Sequence, residues 1–130
     1  MYKIVKSVSA ETLKNLEEVI SVAKWKEVKG SGANFQTSFF SGKIKEFPKY
    51  KQAFFLKISP GGAVHRHTDT PREEKTYHIP IYTNPQCKNN MYPGGEFHLE
   101  VGSIYWVDRL VEHDSVNNGE TDRIHLLVEV

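Results

Sequence analysis

At 130 residues, with 38% hydrophobic and 25% charged residues, the chain has the composition of one ordinary globular domain, long enough to bury a core. Seventeen Lys and Arg against sixteen Asp and Glu leave no bulk charge to draw it to nucleic acid or a membrane surface, and no stretch approaches the ~20 apolar residues of a membrane span. A single cysteine, Cys87, excludes an internal disulfide framework and a thiolate-rich zinc site. It reads as a small half-buried hydrophobe. Residues 1–5 lack the apolar run of a leader, so a cytoplasmic setting is expected.

Residues 2–5 read as a short strand. Ser9 is a plausible N-cap, with Glu11 in the first turn favoured by the helix dipole. Leu13, Leu16, Ile20 and Ala23 recur at helical spacing, which predicts one amphipathic helix of about four turns covering a face of a sheet. Gly30-Ser31-Gly32 ends that region and opens a strand over 33–40. Residues 41–51, with four lysines and Pro48, read as a solvated loop. From 52 onward the pattern is consistently β: strands over 53–59, 76–83, 96–101, 103–107, 110–116 and 123–130, punctuated by Pro60-Gly61-Gly62, Asn84-Pro85, Pro93-Gly94-Gly95, Gly102 and Asn117-Asn118-Gly119. These elements predict a mainly β fold, an antiparallel sandwich or jelly roll with one N-terminal helix. It is a single unit over 1–130, with 1–51 flanking a core over 52–130.

Chemistry concentrates in His65-Arg66-His67-Thr68-Asp69. Alternate side chains of an extended chain share a face, so His65, His67 and Asp69 project together. Two histidines and one carboxylate leave an octahedral metal three open positions, the arrangement that suits non-haem Fe(II) binding a co-substrate and dioxygen. His67, Asp69 and a second-strand histidine, His113, supply such a set. Arg123, ten residues beyond His113, has its own physical reason. A dicarboxylate that chelates iron through its keto-acid end needs a fixed, always-charged partner for its far carboxylate, and a guanidinium supplies two parallel charge-assisted hydrogen bonds. A two-residue hairpin at Asn118-Gly119 would pair residue 113 with 124 and turn His113 and Arg123 to opposite faces. For both to point inward, the turn must be offset or the two strands must lie in different sheets, as in a jelly roll.

Residues 58–130 resemble the aspartyl/asparaginyl β-hydroxylase-like family of Fe(II)/2-oxoglutarate oxygenases. The matching residues are Pro60-Gly61-Gly62, His67-Thr68-Asp69, Tyr77-His78-Ile79-Pro80-Ile81, Gly102, Trp106-Val107-Asp108, His113-Asp114-Ser115-Val116-Asn117 and Asp122-Arg123-Ile124-His125-Leu126. The resemblance implies a double-stranded β-helix, a cupin-like barrel, with Fe(II) on His67, Asp69 and His113. It implies 2-oxoglutarate held by Arg123, with His78 lining the co-substrate pocket. The family chemistry uses dioxygen to convert 2-oxoglutarate to succinate while hydroxylating an unactivated C–H bond. One position departs from the pattern: the family commonly carries an arginine two residues before the histidine matched by His78, where this chain has Thr76. An amino acid or a peptidyl Asp, Asn or Pro-type side chain is the expected substrate. The oligomeric state is left open.

His65-x-His67 with a later His113 also resembles the metal pattern of cupins. There the ligands would be His65, His67 and His113, with Glu73 or Glu74 as a further candidate, without 2-oxoglutarate. On the oxygenase reading His65 lies outside the metal set. His98, among Glu96 and Glu100, reads as structural, and His125 as a core histidine with a satisfied hydrogen bond. Tyr82, Tyr92, Tyr105 and Trp106 read as packing residues.

Overall fold

Alternation along the central strands decides the architecture. In the computed structural model, which describes residues 2–71 and 73–130, the chain runs β1 (Tyr2–Ser7), α1 (Ala10–Ser21), β2 (Lys26–Gly30), β3 (Ala33–Phe40), β4 (Gln52–Ile58), β5 (Ala63–His67), β6 (Thr76–Tyr82), β7 (Cys87–Tyr92), β8 (Gly95–Phe97), β9 (Ser103–Val107), β10 (Glu112–Asn117) and β11 (Arg123–Glu129). The strands pair in the order β1-β9-β6-β11-β4-β3-β5-β10-β7-β8, with β2 beside β3. All the pairings are antiparallel. β3 and β5 meet through one residue pair, Asn34 and Ala63. There the sheet folds over, and its two halves face each other as a jelly roll. β10 lies between β5 and β7 while β11 lies between β4 and β6. The strands carrying His113 and Arg123 therefore belong to opposite halves.

β11 is buried on both faces. Ile124, Leu126 and Val128 meet Ile79 and Ile81 of β6, Phe55 of β4, Ile104 of β9 and Leu16 of α1 in the main core, each such side chain contributing roughly 1.5–3 kcal/mol. The alternate residues Arg123, His125, Leu127 and Glu129 turn the other way, into the barrel. The helix is thus a cover for the outer face, and the interior is left for the site.

α1 begins where the Ser9 cap predicts: Ser9 Oγ accepts from the Thr12 N–H at 3.1 Å. The Glu46 carboxylate adds to this cap, accepting from the Ser9 N–H and the Thr12 hydroxyl, each at 2.7 Å. The segment expected as a solvated loop is therefore partly anchored, and it buries Ile44 and Phe47. Those two apolar residues, three apart among lysines, carry the anchor. The helix closes at Ser21, two residues short of Ala23, because the N–H groups of Val22 and Ala23 bond three residues back, to Val19 and Ile20, tightening the last turn.

Two strands lack a sequence signature. β7, Cys-Lys-Asn-Asn-Met-Tyr, is poor in β-formers and is held by β10 on one side and β8 on the other. β2, rich in lysine, pairs along its length with β3. The strand expected over 96–101 is confined to β8, after which the chain leaves the sheet.

The turn after β4 fixes β5 beside β10. Gly61 adopts φ +83°, and a Cβ on Gly62 would stand 2.6 Å from the Asn34 carbonyl oxygen. Only glycine fits that approach. Fully buried Asn117 ties the corner down: its side-chain amide donates to Ile58 O at 2.7 Å, while its backbone exchanges bonds with Gly61 and Gly62.

Candidate metal site and its cavity

β5 and β10 run side by side with His67 paired opposite His113, so the two imidazoles emerge from adjacent positions on one face, ring centroids 4.5 Å apart. Asp69 lies two residues past the end of β5 rather than within the strand. Its N–H donates to Arg109 O at 3.1 Å, and its carboxylate comes back to 3.4 Å from His67 Nε2. One potential ligand atom from each of His67, Asp69 and His113 falls within 4.8 Å of the others, all three residues half-buried.

The ring orientations suit a metal. His67 Nδ1 lies 2.6 Å from the carbonyl of His65, and His113 Nδ1 lies 2.6 Å from that of Val111. A carbonyl only accepts, so each Nδ1 carries a proton, and Nε2 is the ring nitrogen left to take a metal. Such a tether is the usual support of a metal-binding imidazole. Two Nε2 donors and one carboxylate fit an Fe(II)-type site.

Around this cluster is a cavity of about 240 Å³. Phe35, Phe54, Leu56, Val64 and Leu127 supply apolar wall, and Arg123, His78, Thr76, Arg109 and Glu129 supply polar wall. Arg123 is buried, at 3% exposure, and burial pulls its pKa down to about 10. It remains cationic at neutral pH. Its Nη2 donates to Asn89 Oδ1 at 3.3 Å, and the same oxygen accepts from Ser115 Oγ at 2.7 Å. β7 and β10 thus position a guanidinium that β11 carries.

His78, opposite Leu127 on the neighbouring strand β6, shares the cavity wall with Arg123. Burial first, then the charge of Arg123, then His113, hold its pKa down at about 3. Its Nδ1 faces His125 Nδ1 at 3.1 Å. Thr76, where the family pattern has arginine, is buried with its hydroxyl unpartnered among the described residues. His125 is buried and hydrogen-bonded through Nδ1 as expected, while its Nε2 has no partner among those residues.

His65 is exposed and lies outside the three-residue cluster, although its ring centroid is 5.2 Å from that of His67. Glu74 pairs with Lys51, and Glu73 is exposed. His98 Nδ1–H donates to Cys87 O at 2.8 Å, on its own half of the sheet. Tyr105 is buried in the smaller core. Arg109 was not foreseen. Its guanidinium donates to Thr70 O at 3.2 Å and Glu74 O at 2.6 Å, bracing the segment that carries Asp69. A lone arginine after a strand gives no signal of this in the sequence, since its partners are backbone atoms far along the chain.

A family profile described as aspartyl/asparaginyl beta-hydroxylase matches residues 33–130. No protein of curated function matches the sequence. Among solved structures, an oxidoreductase of the 2OG-Fe(II) oxygenase family from Burkholderia pseudomallei superposes with a TM-score of 0.74 at 10% identity, covering 93% of this chain and 79% of its own. The viral collagen prolyl hydroxylase of Paramecium Bursaria Chlorella virus-1, in complex with 2OG, superposes with a TM-score of 0.72 at 10% identity, covering 98% and 94%. A cupin 2 conserved barrel domain protein from Rhodopseudomonas palustris gives 0.58 at 10% identity, covering 83% and 71%. At these identities the likeness is one of fold.

Proposed function

Because the chain belongs to the aspartyl/asparaginyl beta-hydroxylase family, we propose that it is an Fe(II)- and 2-oxoglutarate-dependent oxygenase that hydroxylates an amino acid or a peptidyl Asp, Asn or Pro-type side chain. The observation that carries the reading is the half-buried His67–Asp69–His113 cluster opening into the same cavity as the buried Arg123. His67, Asp69 and His113 would hold the iron through Nε2, a carboxylate oxygen and Nε2. Bound there, iron supplies the chemistry with dioxygen that couples loss of carbon dioxide from the keto acid, leaving succinate, to hydroxylation of a C–H bond.

The chain's own part is binding and orientation. Arg123 receives the far carboxylate of the co-substrate, and the low dielectric around it strengthens that pair. His78 contributes a second polar contact from β6. The Thr76 hydroxyl offers one hydrogen bond where an arginine would bring a charge, so the co-substrate site carries one cation fewer on that wall than the family pattern. Phe54, Leu56 and Leu127 exclude water from the reacting centre. Succinate formed from 2-oxoglutarate in the presence of Fe(II) and air, and abolished in Asp69→Ala, is the expected result. Equal succinate formation by Asp69→Ala would remove the reading.

The nearness of His65 to His67, together with the cupin likeness of the fold, favours one alternative, a metal cupin using His65, His67 and His113 without 2-oxoglutarate. The two readings part on which variant loses metal. His65→Ala retains it on the first and Asp69→Ala retains it on the second.

A further inference from the structure

We propose that His125 is a positioning residue that decides which proton His78 presents to the cavity. His125 Nδ1–H donates to His78 Nδ1, so His78 keeps its proton on Nε2 and acts beside Arg123 as a neutral donor to an anionic ligand. That the ligand is a keto dicarboxylate rests on the reading above. The placement of the protons does not.

The two rings meet edge to face, centroids 5.4 Å apart and planes at 86°, with Nδ1 to Nδ1 at 3.1 Å. Two imidazole nitrogens at that distance share one proton, because two lone pairs or two N–H groups there repel. Both rings are neutral at working pH: burial and the charge of Arg123 hold the pKa of His78 at about 3 and that of His125 well below its ordinary value.

Two arrangements remain. If His78 donates, His125 must carry its second site as Nε2–H, and that atom is buried without a partner among the described residues. If His125 donates, the same atom is a bare lone pair. An orphaned buried N–H is the rarer defect, and an unmade donor loses a strong hydrogen bond. The second arrangement wins. Its consequence reaches the cavity, which His78 lines and His125 does not. With Nδ1 occupied as an acceptor, the remaining nitrogen of His78 must be the donor. Arg123 cannot accept from it, since a guanidinium has donors only. The cavity then offers two donors, one charged and one neutral, on adjacent strands.

The test is a histidine-selective ¹⁵N spectrum of the metal-free protein. Two-bond proton–nitrogen correlations separate the tautomers of its six histidines, assigned with His78→Gln and His125→Gln. The expected pattern is an Nδ1–H tautomer for His125 and an Nε2–H tautomer for His78. A proton on His125 Nε2 overturns the proposal.

The functional arm measures turnover in the iron-loaded protein. His125→Phe should raise the KM for 2-oxoglutarate roughly tenfold, with a smaller effect on kcat. His125→Asn, whose amide N–H stands near the original Nδ1, should recover most of the loss. A well-folded His125→Phe with unchanged KM overturns the positioning role. Absence of 2-oxoglutarate binding by the wild-type protein would instead overturn the reading of the ligand, leaving the tautomer result to stand or fall by its own spectrum.

Discussion

Replacing Arg123 by methionine should move stability and co-substrate affinity in opposite directions. Burial lowers the Arg123 pKa from its ordinary value to about 10. At 1.36 kcal/mol per unit that is a cost of about 3 kcal/mol for holding the charge in the native interior. Its hydrogen-bond acceptor in the structure is the neutral side chain of Asn89, which offsets only part of that cost. Methionine fills similar volume without the charge, so its replacement should be neutral or stabilising. Affinity for 2-oxoglutarate should fall, because a fork of charge-assisted bonds to the far carboxylate is lost. Taking about 2–4 kcal/mol for that fork, the Kd should rise roughly 30- to 700-fold at 1.4 kcal/mol per decade. Urea melts of the metal-free protein give the first quantity, and anaerobic calorimetry of the iron-loaded protein gives the second. A variant that melts earlier by several kcal/mol, or binds 2-oxoglutarate within threefold of wild type, refutes the reasoning.

The remaining predictions follow from the same geometry. Asp69→Ala should weaken metal binding at least tenfold while His65→Ala leaves it within about twofold, as read by competition with a chromophoric chelator. The reverse pattern would transfer the ligand role to His65. Arg109→Ala releases the carbonyls of Thr70 and Glu74 and frees the segment behind Asp69. Metal affinity should drop about 10- to 100-fold, and an unchanged affinity in a folded variant would show that the brace is not needed. Stability should fall on acidification. His78 is neutral in the folded chain down to about pH 3, whereas in the unfolded chain it protonates near 6.5, and His125 is shifted the same way. Below 6.5 the unfolded state binds more protons, so His78 removes on the order of 2 kcal/mol between pH 7 and 5, and His125 acts in the same direction. Urea midpoints that do not decline over that interval would contradict the burial of these rings.

What was readable in the sequence was local. Alternation put Arg123 and Ile124 on opposite faces, and the spacing of two between His67 and Asp69 is what lets their side chains meet even though the strand stops before Asp69. The separation of β10 from β11 could be inferred from the hairpin register, since a direct hairpin would have turned His113 away from Arg123. Ser9 announced the helix start through its own chemistry.

What escaped was set by partners distant in the chain. β7 is a strand because β10 and β8 flank it, and its asparagines give no periodic signal. Asn89 matters through Arg123 and Ser115, 34 and 26 residues away. Arg109 looks like any surface cation until its two carbonyl partners are known. Ile44 and Phe47 were hidden among lysines whose charge suggested a solvated loop. The unpartnered Nε2 of His125 depends on the packing of three strands, which no spacing along the chain encodes.

The central claim is that His67, Asp69 and His113 hold an iron with positions left open for a keto acid whose far end reaches Arg123. Its most direct test is anaerobic titration of the Fe(II)-loaded protein with 2-oxoglutarate, followed by visible absorption. The account predicts a saturable metal-to-ligand charge-transfer band, weakened at a given 2-oxoglutarate concentration in Arg123→Met. Iron demonstrably bound with no band at saturating 2-oxoglutarate would contradict it.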